Sequence, residues 1–464
     1  MRPRNQTARE RLRGVLARRP AGAAADIAAE LGISKPTLHR LFAELADEIV
    51  TTGRARRTRH ALRQPLRGEL APLPLYEVDQ QGRAERVAEF ALIQPEGSCL
   101  DLAALGWPVP DESRDGWWRG LPYPFYDMRP QGYLGRQFAR AEHAALAVPD
   151  DPERWRDEHI VHVLNRAGAD VIGNLILGDP AFERWQRQRL QRDEPLPARG
   201  LAKAYAALAD QAVSRGVFRS SAAGEFPKFT ALREAEAGAD SRTPHVLVKF
   251  SGADAASPAE RRWADLLVCE HLALQCCALL PGVEVARSRV LGAGGRTLLE
   301  VERFDRHGFF GRSRLTSLTL IDGALLGIGT SDWTLLAERL VAAGLLETDD
   351  EARIQMLWWF GRQIANTDMH TGNLSFRPED QRLTLAPAYD MLPMLYAPLA
   401  GGEVPVRQFE PPLPRPPQRL PWLAAFDAAL TFWHAAAADA RLSEAFRAIC
   451  AVNATRLQDV AAHA

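Results

Sequence analysis

Cysteine is scarce in this chain of 464 residues, with five in all: Cys99, Cys269, Cys276, Cys277 and Cys450. The number is odd and no C-x-x-C pair exists. That argues against a disulfide frame or a thiolate zinc site, and for reduced thiols in a cytoplasmic protein. No run of about 18 uninterrupted apolar residues occurs, so no spanning helix and no membrane partner are expected. The opening MRPRNQTARERLRG has no apolar centre, so no secretory leader is expected. No internal repeat is found. What is present is ordinary globular composition, 46% hydrophobic and 25% charged. Single cores stop growing at about 250–300 residues, so two or three domains are expected.

The net charge of -1 hides an asymmetry. Residues 1–68 hold 15 Lys+Arg against 6 Asp+Glu, so the remaining residues carry a net negative charge. A basic head on an acidic body points to a polyanion as the partner of the head, although a solvated arginine-rich tail gives the same balance. The head also has pattern. Leu12, Val15 and Leu16 recur at helical spacing, and residues 24–31 read as a second helix. Gly32 supplies a tight turn, and Ser34 with Pro36 opens a third helix, KPTLHRLFAEL. That helix would present Lys35, Thr37, His39 and Arg40 to groove edges and phosphates while Leu38, Leu41 and Phe42 face inward. Residues 49–63 read as a two-stranded wing whose tip carries Arg54, Arg56, Arg57 and Arg59. The order resembles a bacterial winged helix-turn-helix that binds double-stranded DNA; protein contact alone is the other reading.

Residues 64–74 are proline-rich and read as a linker. Residues 76–93 alternate enough for short strands. Residues 108–135 are dense in Trp, Tyr, Pro and Gly, which suits an irregular packed subdomain better than a binding groove. Residues 151–165 look helical. After residue 200 come a helix (201–211), a small-residue turn (220–229), a β-rich run (245–250), a helix (260–274) and a strand (297–304). From about residue 313 the chain is mainly helical, interrupted by 365–395. A small β-rich lobe followed by a helical lobe is the layout of a two-lobed kinase.

Phosphoryl transfer needs a carboxylate to take the hydroxyl proton, oxygen ligands for magnesium and a lysine for the nucleotide phosphates. Asp368 and Asn373 stand five apart, as in protein-kinase catalytic loops. Asp390 follows at the end of a hairpin. Lys249 sits in an apolar strand, as the kinase β3 lysine does. Each residue also has a bland reading, as a cap, a turn residue, a hairpin end or an edge-strand lysine. The order and spacing of all four favour the kinase reading.

The loop NTDMHTGN followed by LSF, the hairpin end LAPAYDM, the strands VERFDR and HVLVKF, and the turn SAAGEFPKF resemble the HipA-like serine/threonine kinases. With the winged head added, the layout is similar to the YjjJ type within that family. The resemblance implies an α+β chain: an N-terminal winged helix-turn-helix (1–66), then a two-lobed HipA-type protein-kinase-like fold. Its small β-rich lobe with an added subdomain spans 67–310, and its larger helical lobe spans 311–464. It implies ATP and Mg2+ as cofactors, a protein acceptor (by family analogy a translation component) and DNA bound for autoregulation. An antitoxin or a second copy is implied as a further partner. Asp368 becomes the catalytic base, His370 a neighbour of the phosphates, Asn373 and Asp390 the magnesium ligands, and Lys249 the contact to the α/β-phosphates. Tyr389 joins the nucleotide site, and the backbone at Glu302 and Phe304 receives adenine. Ser221 to Lys228, with Gly224, becomes the phosphate loop, and Ser221, three residues before Gly224, the autophosphorylation site. Glu225-Phe226-Pro227 stands where the family commonly has a glutamine, and Thr371-Gly372 replaces a small-basic pair. Glu260 and Asp265 are both candidates to pair with Lys249. A small-molecule acceptor, or a transcription regulator with an inert kinase-like body, are the alternatives.

Overall fold

The computed structural model of the chain describes residues 3–19, 21–53, 55–191, 194–214, 226–234 and 241–461. Ser221, Gly224 and Arg54 lie outside the described residues, as does the side chain of Arg56.

The head is built from helices Pro3–Arg18, Ala24–Leu31 and Lys35–Glu44, then an antiparallel pair of strands, Ile49–Thr52 with Arg59–Leu62. Gly32 takes φ 65° and closes the second helix with N–H bonds to Ala28 and Ala29, a conformation that glycine adopts without Cβ strain. Ser34 caps the third helix by accepting from the Thr37 N–H. Leu12, Leu16, Ile27, Leu38 and Leu41 make a core of their own. The hairpin is not free of the body. Val50 and Ala61 pack with Ala91 and Ile93, and Thr52 donates to the Asp115 carbonyl at 3.2 Å.

The proline-rich residues after the head are held rather than loose. Gln64 N–H donates to Leu92 O at 2.8 Å, and Leu66 bridges to Glu69. A five-stranded antiparallel sheet follows, in spatial order Trp117–Trp118, Ser98–Cys99, Ala84–Leu92, Leu73–Val78, Leu175–Leu177. The aromatic-rich stretch packs against it: Trp107, Trp118, Tyr123 and Phe125 are buried. A second, separate sheet carries the strands Ser288–Ala293, Arg296–Glu302, His245–Phe250 and Lys228–Leu232 in that order, all antiparallel. The helix Leu201–Ala212 covers one face through Tyr205 and Ala209 against Val246, Val248 and Phe250. The helix Pro258–Cys277 packs on the other face. The remainder is mainly helical, with Thr348–Gln363, Arg419–Ala438 and Glu444–Ala461 stacked in sequence around Phe360, Trp422 and Trp433. Among the described residues no helix is long and apolar enough to cross a membrane.

Candidate active site

Lys249 occupies the middle strand of the second sheet, facing Leu299 on one side and Lys228 on the other. It is 3% exposed. Its Nζ donates to both carboxylate oxygens of Glu270, at 2.7 and 2.8 Å, and to the Asp390 carboxylate. Strand, helix and hairpin end thus meet at one ammonium. The acids Glu260 and Asp265 do not supply the partner. Glu260 sits in the first turn of the helix and accepts from the Gly252 N–H at 2.6 Å. Asp265 accepts from the N–H and hydroxyl of Ser443, both at 2.7 Å, and so starts the last helix. Glu270, further along the same helix, was missed. The available signal was its place as the lone carboxylate in the apolar run LLVCEHLALQCC.

Burial alone would lower the Lys249 pKa, but the Asp390 and Glu270 charges outweigh it and hold the amine protonated. Glu270 is pushed up to about 7 by burial, with Asp390 adding to the rise and Lys249 opposing it. Asp390 goes the other way. Burial works against its charge, yet Lys249 and Lys228 bring it down to about 2. Asp390 is also one of few non-glycine residues at positive φ, 54°, a conformation held by its surroundings. Two bonds fix the chain just before it: Ala388 N–H to Glu284 O at 2.8 Å and Ala286 N–H to Ala388 O at 2.9 Å. These tie the hairpin end to the base of the small sheet.

The 366–373 loop is shaped by its own polar atoms. Asn366 Oδ1 accepts from the Asp368 N–H at 3.0 Å, and Asn373 Nδ2 donates to the Asp368 carbonyl at 2.8 Å. The Asp368 side chain is left exposed. Committing the Asn373 nitrogen leaves its amide oxygen as a potential ligand. His370 Nδ1 accepts from the Gly372 N–H at 3.1 Å, and the Trp333 indole donates to the His370 carbonyl at 3.3 Å. The Tyr389 hydroxyl donates to Gly372 O at 2.7 Å and lies 2.7 Å from the Ser375 hydroxyl. Its ring stacks obliquely on Phe304, 5.6 Å away. Tyr389 therefore links Phe304, the hairpin and the loop. The Glu302 N–H is spent on Arg287 O at 2.8 Å, and its carboxylate takes Arg233 Nη2 at 2.5 Å. Lys228 lies on the edge strand beside Lys249.

A brace reaches this site from the middle of the chain. Asp127, half-buried, accepts from the Ser317 N–H at 2.7 Å, the Ser317 hydroxyl at 2.9 Å and Thr316 at 3.0 Å. Thr316 and Ser317 in turn pair with Phe376 and Ser375, directly after the loop. Nothing in the sequence pattern marks Asp127.

Two family models match the chain. "YjjJ-like toxin, middle domain" covers residues 69–186 and "HipA-like C-terminal domain" covers 220–454. Toxin YjjJ of Escherichia coli (strain K12) is 36% identical over 427 residues, 92% of each chain. The chain belongs to the YjjJ-like toxins of the HipA family. Among solved structures, a Shewanella oneidensis MR-1 complex of HipA, HipB and operator DNA is similar at a TM-score of 0.47. The identity is 16%, covering 83% of this chain and 95% of that one. The Helicobacter pylori proinflammatory kinase CtkA is similar at a TM-score of 0.33, with 11% identity over 51% of this chain and 92% of that one. In this family member the middle-domain match ends before the second sheet begins, so the Asp127 brace joins the segments matched by the two models.

Proposed function

We infer that this chain is an ATP-dependent serine/threonine protein kinase of the HipA kind, fused to a DNA-reading head. The observation that carries the reading is the convergence of Lys249, Glu270 and Asp390. Beside it stands a loop that exposes Asp368 and orients Asn373. Family membership supports the same reading. In this reading the head spans 1–66, the small lobe with its added subdomain 67–310 and the helical lobe 311–464.

Asp368 accepts the proton of the acceptor hydroxyl as its oxygen attacks the γ-phosphorus and the bond to ADP breaks. Lys249, held charged by Glu270, neutralises the α/β-phosphates. The Glu302 carbonyl, its own N–H being spent on Arg287, and the Phe304 backbone receive adenine. The donor set fits a hard dication: Asp390 offers a low-pKa carboxylate and Asn373 an amide oxygen. Magnesium, when bound there, supplies counter-charge for the phosphates. Beside Asp368 lies a cavity of about 530 Å³ floored by Trp358, Leu395 and Phe409, with room for an acceptor segment.

For the head, arginines of the first helix are neutralised internally: Arg9 meets Glu44 at 2.7 Å and Arg13 meets Glu48 at 2.6 Å. Lys35, His39 and Arg40 stay exposed on the third helix and make no ion pair among the described residues. That division favours a winged helix-turn-helix whose third helix enters the major groove.

The test is incubation of the full chain with labelled ATP, magnesium and cell extract, followed by mass spectrometry of the labelled species. Asp368→Asn should abolish transfer while ATP affinity changes little. Transfer surviving in Asp368→Asn overturns the assignment.

A further inference from the structure

A cavity of about 360 Å³ lies away from the Lys249 site, where the Asp179–Gln191 helix meets the edge of the second sheet. Its size and its place at a junction between units are those of small-molecule sites. Trp185, Leu208, Leu232 and Phe309 form apolar walls, and Gln188 stands at one side. The polar end holds Arg303, Arg306, Arg312, His245 and Asp170, and Glu194 also lines the cavity.

The charges at that end are unevenly paired, and exposed Glu194 makes no ion pair with the cluster among the described residues. Arg303 bonds Asp305 at 3.0 and 3.1 Å and Asp170 at 3.2 Å. Arg306 bonds the same two acids, at 2.6 and 2.8 Å. Two guanidiniums thus use two carboxylates. Arg312 is 4% exposed and has no carboxylate among the described residues. Its Nη2 donates to the Ala169 carbonyl at 2.6 Å, and its Nη1 is buried without a partner. Burial pushes the Arg312 pKa down to about 9, with the Arg306 and Arg303 cations adding to the fall and the Asp170 and Asp305 carboxylates opposing it only in part. A buried cation without a direct ion pair is costly, and an anion entering beside it would supply one. His245, whose Nε2 donates to the Phe309 carbonyl at 2.8 Å, carries no negative charge and cannot serve as the counter-ion.

We propose that this cavity binds a small organic anion, a carboxylate or phosphate monoester on a flat apolar body. The body lies against Trp185 and Phe309, and the charge faces the Arg303–Arg306–Arg312 cluster. The cavity is lined by none of Lys249, Glu270 and Asp390, it meets the proposed adenine segment only at Arg303, and the proposal does not rest on the kinase reading.

The test is calorimetry on the full chain with phenyl phosphate, benzoate, benzyl alcohol and inorganic phosphate. One saturable site for phenyl phosphate or benzoate is expected, and the tighter of the two identifies the anionic group. Inorganic phosphate should bind at least about tenfold more weakly and benzyl alcohol not at all. Arg312→Gln should weaken the aromatic anion at least about tenfold, and Gln188→Trp, which fills the cavity from its side, should abolish binding. Binding by neither aromatic anion, equal binding by inorganic phosphate, binding unchanged in both variants, or displacement of the probe by ATP would each overturn the proposal.

Discussion

Glu270→Gln separates the assigned ion pair from its neighbours on the same helix. Glutamine keeps the volume and, at pH 8 where Glu270 is mostly ionised, loses the charge. Lys249 would then remain buried with one carboxylate, Asp390, whose side chain is 32% exposed. Removing one partner of a buried pair costs about 3–5 kcal/mol, and the surviving Asp390 contact places the expected loss at the low end, about 3 kcal/mol. A second effect is more specific. With Glu270 neutral, Lys249 gives all its charge to Asp390, the proposed magnesium ligand, and competes with the metal there. The magnesium concentration for half-maximal ATP binding should rise by about tenfold, equivalent to about 1.4 kcal/mol.

Asp265→Asn is the matched control. It weakens the two 2.7 Å bonds to Ser443 and should lower stability through the start of the last helix. It touches neither Lys249 nor Asp390, so the magnesium requirement should not move. Urea unfolding reads the first effect, and ATP titration at graded magnesium reads the second. The reasoning is refuted if Glu270→Gln keeps the wild-type magnesium requirement, or if Asp265→Asn raises it as much.

Three further outcomes are expected. Double-stranded DNA binding by the full chain should fall with log salt at a slope near -4 to -5 if about five phosphates are neutralised. Arg40→Ala should then make that slope shallower by about one for all sequences alike, read by fluorescence anisotropy. His60, stacked on Phe42 at 4.1 Å, is brought down to about 4 by burial, with His39 adding to it. The unfolded chain therefore takes a proton that the folded head refuses. The head's stability is fully present above about pH 6.5 and declines toward pH 4. Thermal unfolding across that range should show the decline, and His60→Phe should flatten it; an unchanged profile counts against it. Ser221→Asp should lose most ATP affinity and Ser221→Ala should keep it, because a negative group beside the phosphates repels them. Calorimetry that shows equal affinity in the two variants refutes an inhibitory role for phosphorylation at Ser221.

The parts of this protein that read clearly from sequence are local. Gly32 and Ser34 mark the two helix ends that frame the head's turn, and both act through atoms within a few residues. The strand 245–250 and the Asp368–Asn373 spacing are short patterns of the same kind. The Lys249 partner could not be read this way. All three acids lie on one helix, and which of them meets the strand depends on where helix and sheet cross. Glu260 and Asp265 were nearer in sequence but are spent on Gly252 and Ser443. Glu270 carries its signal in its setting, because a lone carboxylate among buried apolar residues must have a partner to be tolerated. The same reasoning explains why the middle segment was opaque. Its aromatics announced packing, and Trp107, Trp118, Tyr123 and Phe125 do pack. Its specific contribution is one carboxylate, Asp127, that bonds Thr316 and Ser317 about 190 residues away. Such a link has no periodicity and needs one residue at each end, so no spacing rule can find it. It nonetheless anchors the strand pair that continues from the Asp368–Asn373 loop, and the geometry of that loop therefore depends on the subdomain added to the small lobe.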